Sequence, residues 1–228
     1  MSKLSLERVI KYSFNDKALL DMAFTHSSHG RNEKDKLRNN ERLEFLGDAL
    51  VDAIVSTVLY EKFPNEREGI LTKTRAQIVC EKSLSAIGKR LKLGQYLLLG
   101  KSEELINGRE NNGIIADALE ALTAAIFLDG GYEEAYAFVT REFASTIEDA
   151  MAGKLFSDYK TKLQELASKN GLQNKLSYVL TKEEGPEHDK TFYVSLFLGN
   201  EEIGEGYGKR KKDAEQKAAE EALGRGIF

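Results

Sequence analysis

Across residues 1 to about 150, apolar side chains recur at helical spacing, and the β-branched alternation that marks strands is scarce. Leu43, Leu46, Leu50, Ile54 and Val58 form one such stripe. Clusters that helices tolerate poorly interrupt the pattern at Phe63-Pro64-Asn65, Gly100-Lys101, Asn111-Asn112-Gly113 and Asp129-Gly130-Gly131, dividing the segment into several helices of ordinary length. Beyond Met151-Ala152-Gly153 the pattern changes. A helix from about Asp158 to Asn170 is expected, capped by Ser157 or Asp158 and stopped by Gly171. Strands are expected at Leu176–Leu180, Thr191–Leu198 and Glu202–Tyr207, with a hairpin turn at Gly199-Asn200 and a polar loop over Glu183–Lys190. A last helix is expected from about Lys211 to Leu223. The reading is an all-α domain over residues 1–151, followed by a small α+β module of order α-β-β-β-α over 154–228, its two helices on one sheet face.

The 228 residues, 41% of them hydrophobic, suffice for a buried core. The longest stretch without a charged side chain, Thr191 to Asn200, is about half of what a bilayer-spanning helix needs, so no membrane association is expected. The N-terminus reaches Glu7 before any long apolar run, unlike a secretory leader, which points to the cytoplasm. One cysteine, Cys80, permits no internal disulfide and no cysteine zinc cluster, and reads as a small core residue. The net charge of −4 argues at first against a nucleic-acid partner. From Lys154 onward, however, there are 13 basic and 13 acidic residues, so the whole deficit lies in the N-terminal part. An acidic site and a neutral binding module can coexist.

The segment Asn40 to Leu50 carries the most chemistry. On a helix, Glu41, Glu44 and Asp48 fall within an arc of roughly 60°. Asp117 and Glu120 stand three residues apart among apolar neighbours in Ile114–Leu122, which implies partial burial. Like charges one turn apart destabilise a helix by roughly 0.2–0.5 kcal/mol, and burial adds to the repulsion unless a cation intervenes. Oxygen ligands without organised His or Cys favour Mg²⁺ or Mn²⁺ over zinc. Gly47, at a helix-propensity cost of about 1 kcal/mol, reads as a contact that lets the second acidic helix approach. The bland alternative is a solvated acidic face paired with Arg42 or lysines. Asp52 shares the arc but reads as a surface residue, and His26 and His29 read as structural or surface histidines.

With those residues in view, Asn40–Leu50 resembles the signature segment of the ribonuclease III family, and Ala116–Glu120 its second acidic motif. The resemblance continues through Phe63-Pro64, Glu68-Gly69 and Thr74-Arg75-Ala76 into a segment similar to a double-stranded RNA-binding domain, the bacterial two-domain arrangement. It implies a helical endonuclease domain that forms a homodimer and hydrolyses double-stranded RNA with Mg²⁺, Mn²⁺ being able to substitute, and with no small-molecule cofactor beyond the metal. Glu44, Asp48, Asp117 and Glu120 match the family's metal-binding carboxylates, with Asp48 and Glu120 as the catalytic pair, and Glu41 and Glu68 match accessory acidic positions. Phe45 resembles an aromatic inserted into the partner subunit; on its residues alone it could equally be a core Phe. The implied products carry 5′-phosphate and 3′-hydroxyl ends with two-nucleotide 3′ overhangs, and the implied substrates are ribosomal RNA precursors and some mRNAs and tRNAs.

In the C-terminal module, Gln164 and His188 are placed like residues of the family that probe a minor groove. Lys209, Arg210, Lys211 and Lys212 sit at the start of the last helix, where side-chain charge and the helix end both favour phosphate. Asp189 departs from the family, stands where a lysine is common, and joins Glu183, Glu184 and Glu187 in weakening the local field. Two other readings stay open: a non-catalytic duplex-RNA scaffold, and a metal-dependent nuclease acting on DNA or single strands.

Overall fold

The helical spacing of the first 150 residues is realised in the computed structural model, which describes residues 3–30, 38–153, 155, 159–172, 175–187 and 190–226. The chain divides into two compact units, Met1–Phe156 and Ser157–Phe228. In the first, helices α1 (Lys3–Ile10), α2 (Lys17–Ala23), α3 (Glu41–Lys62), α4 (Glu68–Ile78), α5 (Glu81–Arg90), α6 (Lys101–Leu105), α7 (Asn112–Gly130) and α8 (Tyr132–Met151) follow one another, with short 3₁₀ turns at Ser27–His29, Leu93–Gln95 and Gly108–Glu110.

Helix α7 is apolar on nearly every side, and such a helix belongs in the middle of a bundle. Ala118, Leu119, Ala121, Leu122 and Ala125 are wholly covered. Helices α2, α3, α5 and α8 all pack on it. The stripe on α3 supplies one wall of the same core: Leu43, Ile54 and Val58 are buried and Leu46 and Leu50 half-buried. Where turn residues cluster, the helices end as their chemistry requires. Asn111 caps α7 by accepting from the Ile114 N–H at 3.3 Å, and Gly131 at φ +87 ends it.

The boundary between α4 and α5 has no glycine or proline to announce it. Between α4 and α5 the chain turns at Val79-Cys80, where Cys80 is extended and the Ser83 hydroxyl donates to the Gln77 carbonyl at 2.6 Å. A serine side chain thus takes a carbonyl left free at a helix end. Cys80 is half-buried at this corner rather than a core residue.

In the second unit, α9 (Tyr159–Lys169) precedes an antiparallel sheet of order β1 (Leu176–Glu184), β2 (Thr191–Leu198) and β3 (Glu201–Gly208), and α10 (Lys211–Gly224) follows it. Ser157 and Asp158, the expected caps of α9, lie outside the described residues. Leu163 of α9, Leu196 and Ile203 of the sheet, and Ala218, Ala219 and Ala222 of α10 form one core. Strand β1 runs four residues past the expected Leu180, to Glu184. Its far end carries no apolar alternation because polar partners hold it: Lys190 Nζ to Glu183 at 3.0 Å, Lys182 Nζ to Glu184 at 3.1 Å, and the Tyr193 hydroxyl donating to Glu184 at 3.1 Å. Charged edge residues also discourage pairing with another chain.

Candidate metal centre and nucleic-acid interface

Helices α3 and α7 cross so closely at Gly47 that a Cβ built there would lie 2.0 Å from the Glu120 carbonyl oxygen. Only glycine permits that approach. It brings the acidic face of α3 against the one pair of carboxylates that α7 carries among its apolar residues. Glu44, Asp117 and Glu120 each then offer a carboxylate oxygen within 4.8 Å of the others, all three half-buried. Among the described residues, no other group of three His, Cys or carboxylate ligands comes this close.

The arrangement is electrostatically unfavourable without a cation. Burial pushes the Glu120 carboxyl up to about 8, with the charges of Asp48, Asp117, Glu44 and Asp52 adding to the effect in that order. Burial also raises Glu44, helped by Asp117, Glu41 and Asp48. Asp117 is raised by burial too, but the positive charge that His26 can carry works the other way, and Glu81 works with burial. Carboxylates crowded together and raised by burial and by one another's charge form a site that a divalent cation can fill. Oxygens around one Mg²⁺ at about 2.0–2.1 Å lie roughly 3–4 Å apart, so a short side-chain adjustment closes the trio on one ion. An all-oxygen donor set suits a hard cation.

The remaining acidic positions are dispersed. Asp48 is exposed on the same face of α3, outside the trio but first among the charges acting on Glu120. Glu41 is exposed at the start of α3 and accepts from Asn39 Nδ2 at 3.1 Å. Glu68 begins α4, accepts from the Thr72 hydroxyl at 2.9 Å, and lines a recess with Tyr60, Phe63, Pro64, Leu71 and Arg75. Phe45 is 81% exposed, which rules out the core reading within this chain. Helix geometry agrees, since at about 100° per residue Phe45 falls on the side of α3 away from the Leu43–Val58 stripe.

Two residues assigned to the surface prove to act on the centre. Asp52 raises Glu120, as its place on the arc one turn after Asp48 foreshadows. The charge that His26 can carry, from a turn preceding α3, acts on Asp117, an effect that no spacing within a helix could reveal.

In the second unit, Gln164 is exposed on α9, at the flank of the buried Leu163 and Ala167. His188 lies outside the described residues. Lys209, Arg210, Lys211 and Lys212 are all exposed around the first turn of α10. They are not equivalent. Arg210 directs its guanidinium onto Asp213 with contacts of 2.9 and 3.1 Å. An anion approaching this end must therefore compete with Asp213 for Arg210.

Comparisons with known proteins agree on both units. The family described as Ribonuclease-III-like matches residues 16–147, and the Double-stranded RNA binding motif matches residues 159–224. Ribonuclease 3 of Caldanaerobacter subterraneus subsp. tengcongensis is 44% identical, covering 96% of this chain and 95% of its own length. Ribonuclease 3 of Clostridium perfringens is 45% identical, with 97% and 93% covered. A solved nuclease domain of ribonuclease III from Campylobacter jejuni, whose region involved in dimer formation shows structural flexibility, is 42% identical with a TM-score of 0.59. It covers 63% of this chain and 97% of its own.

Proposed function

This chain belongs to the ribonuclease III family, as a double-stranded-RNA endoribonuclease, and from that premise we propose a Mg²⁺-assisted hydrolysis centred on Glu44, Asp48, Asp117 and Glu120. The carrying observation is the trio of half-buried carboxylate oxygens, drawn from two helices to within 4.8 Å. Glu44, Asp117 and Glu120 hold the cation, and Asp48, at the solvent side, completes the donor set. Mn²⁺ can substitute, since it accepts the same oxygen donors. When bound, such a cation lowers the pKa of a coordinated water and neutralises charge on the departing oxygen of an in-line displacement.

The side chains themselves have two tasks. Glu120, whose carboxyl titrates near 8, gives up its proton as the site loads, so loading is favoured as pH rises toward that value. Asp48, the first of the neighbouring charges acting on Glu120, forms the catalytic pair with it. Glu41 and Glu68 are accessory: each is exposed, at the first residue of its helix. The products are 5′-phosphate and 3′-hydroxyl ends with two-nucleotide 3′ overhangs.

Residues 1–151 form the catalytic domain and 154–228 the RNA-binding domain. In the latter, Gln164 and His188 read the minor groove, and Lys209 to Lys212 hold phosphates. A-form duplex RNA presents 2′-hydroxyls and regular phosphates to such donors. Staggered cutting of two strands calls for two centres, hence a homodimer. Phe45 is the proposed contact. An aromatic side chain that is 81% exposed, with a recess of about 660 Å³ further along α3 on the same unit, suits reciprocal insertion between two copies. The working compartment is the cytoplasm, and the substrates are ribosomal RNA precursors and some mRNAs and tRNAs.

The test is cleavage of an end-labelled RNA duplex by wild type and Glu120→Gln, with Mg²⁺ and with EDTA, and with duplex DNA as competitor. Staggered cuts that need the metal, vanish in the variant while binding persists, and resist DNA competition are expected. Binding without cleavage by the wild type would favour a scaffold instead.

A further inference from the structure

In the second unit, acidic side chains stand at the same end of the sheet as the basic start of α10. Glu183, Phe192 and Gly208 are paired in one row across β1, β2 and β3. Residues opposed in this way point to one face of the sheet. That face is the one the helices cover: Leu196, four residues along β2 from Phe192, shares a core with α10, and a Cβ at Gly208 would lie 2.8 Å from the Asp213 Cβ in the first turn of α10. Glu183 therefore projects on the side where α10 begins. Two strand spacings of about 4.8 Å separate it from Gly208, close to one Debye length at physiological salt. An anion drawn to Lys209–Lys212 meets the charge of Glu183 as well.

Two cations of this end are already partnered. Lys190 Nζ lies 3.0 Å from Glu183, and Arg210 contacts Asp213 at 2.9 and 3.1 Å. Both pairs are exposed, so they add little to the stability of the fold. What they change is the charge offered to phosphate, since a cation held by a carboxylate displaces fewer counterions from a duplex. Glu187, exposed in the same loop, adds to the negative field.

We propose that Glu183 and Asp213 are specificity-determining residues: by neutralising Lys190 and Arg210 they keep the affinity of one unit for duplex RNA low, so that a short duplex is released and one long enough for both units of a dimer is retained. A module of this type spans about 16 base pairs. A duplex that engages two such units gains about 10²–10⁴-fold from effective concentration, and a shorter one does not. The inference rests on the RNA-binding and homodimer readings and adds to them what sets the length of duplex this chain holds.

The test is binding by the full-length protein in EDTA, followed by fluorescence anisotropy on labelled RNA duplexes of about 16 and about 40 base pairs, one and more than two spans. Wild type is compared with Glu183→Gln, Asp213→Asn, the double variant and Glu220→Gln over a range of salt. The amides keep the acceptor oxygens and remove only charge. Glu220 is exposed in the second half of α10 and controls for net charge. Thermal unfolding of each is measured alongside, and Glu183→Gln alone carries the test should Asp213→Asn not fold. Wild type should hold the long duplex at least 10²-fold more tightly than the short one. Each of the first two variants should tighten the short duplex by about fivefold at 0.15 M salt, the double variant by roughly 30-fold, with the salt slope steeper by about 0.9 per freed cation. Glu220→Gln should leave both unchanged. Variants that bind the short duplex no more tightly than Glu220→Gln, or more tightly with no change of salt slope, overturn the inference, as does a wild type that holds both lengths equally. A wild type that binds neither duplex overturns the RNA-binding reading, and this inference with it.

Discussion

Replacing Gly47 by alanine tests whether the crossing of α3 and α7 builds the centre. In an isolated helix the change would be favourable by about 1 kcal/mol, because Ala loses less backbone entropy than Gly. Here the added Cβ would stand 2.0 Å from the Glu120 carbonyl oxygen and 2.4 Å from its carbon, against an ordinary contact of 3.4 Å or more. The obstacle is backbone in the middle of a buried helix, so no rotamer change relieves it, and the helices must part by more than an ångström. Overpacking of this kind costs about 1–3 kcal/mol, and at a backbone contact the upper end applies, so net destabilisation is about 1–2 kcal/mol. At roughly 2–4 °C per kcal/mol for a chain of this size, the unfolding temperature should fall by several degrees. Catalysis should suffer more, since the atom displaced belongs to Glu120 itself and an ångström of misplacement costs on the order of 100-fold. Calorimetric unfolding and initial rates on a labelled RNA duplex measure the two effects. Duplex binding through the C-terminal unit should be retained. Gly69→Ala, on α4 with nothing within 4 Å, serves as the control and should be neutral or slightly stabilising. An alanine at position 47 that raised the unfolding temperature and kept the rate within about threefold would refute the argument.

Chelator-treated protein should lose stability as pH rises from about 5 to about 8. Over that window folded Glu120, titrating near 8, retains a proton that the unfolded chain, titrating near 4.5, has released, so rising pH favours unfolding. Glu120→Gln should flatten this dependence in a thermal-shift series; an unchanged slope would show that the burial of Glu120 is not its source. Phe45→Ala should weaken self-association without unfolding the monomer. Burying a Phe is worth roughly 1.5–3 kcal/mol, and two per dimer raise the dissociation constant by about 10²–10⁴-fold, readable by sedimentation. Lys211→Gln and Lys212→Gln should each lower the salt slope of duplex binding by about one. Arg210→Gln should lower it less, because Asp213 already holds that guanidinium. Equal slopes for all three would argue against that ion pair competing with phosphate.

Helical spacing was enough to place the helices on either side of Phe63-Pro64-Asn65, Asn111-Asn112-Gly113 and Gly130-Gly131, because those breaks are local chemistry: fixed φ, a missing Cβ, a capping amide. The carboxylates were legible for a similar reason. Acidic residues at three- and four-residue spacing share a face by helix geometry alone, and their apolar surroundings in Ile114–Leu122 already implied burial. The turn at Val79-Cys80 and the polar half of β1 were not: the first is held by the Ser83 hydroxyl on the Gln77 carbonyl with no glycine or proline to mark it, and the second by Lys190 and Tyr193 from the neighbouring strand and its approach. Nor could periodicity say that the charge His26 can carry acts on Asp117. That coupling joins a turn to a helix distant in sequence. Backbone propensity and side-chain period act over a few residues and are written in the chain. The field at a carboxylate is set by whatever packs against it, and only the tertiary structure decides that.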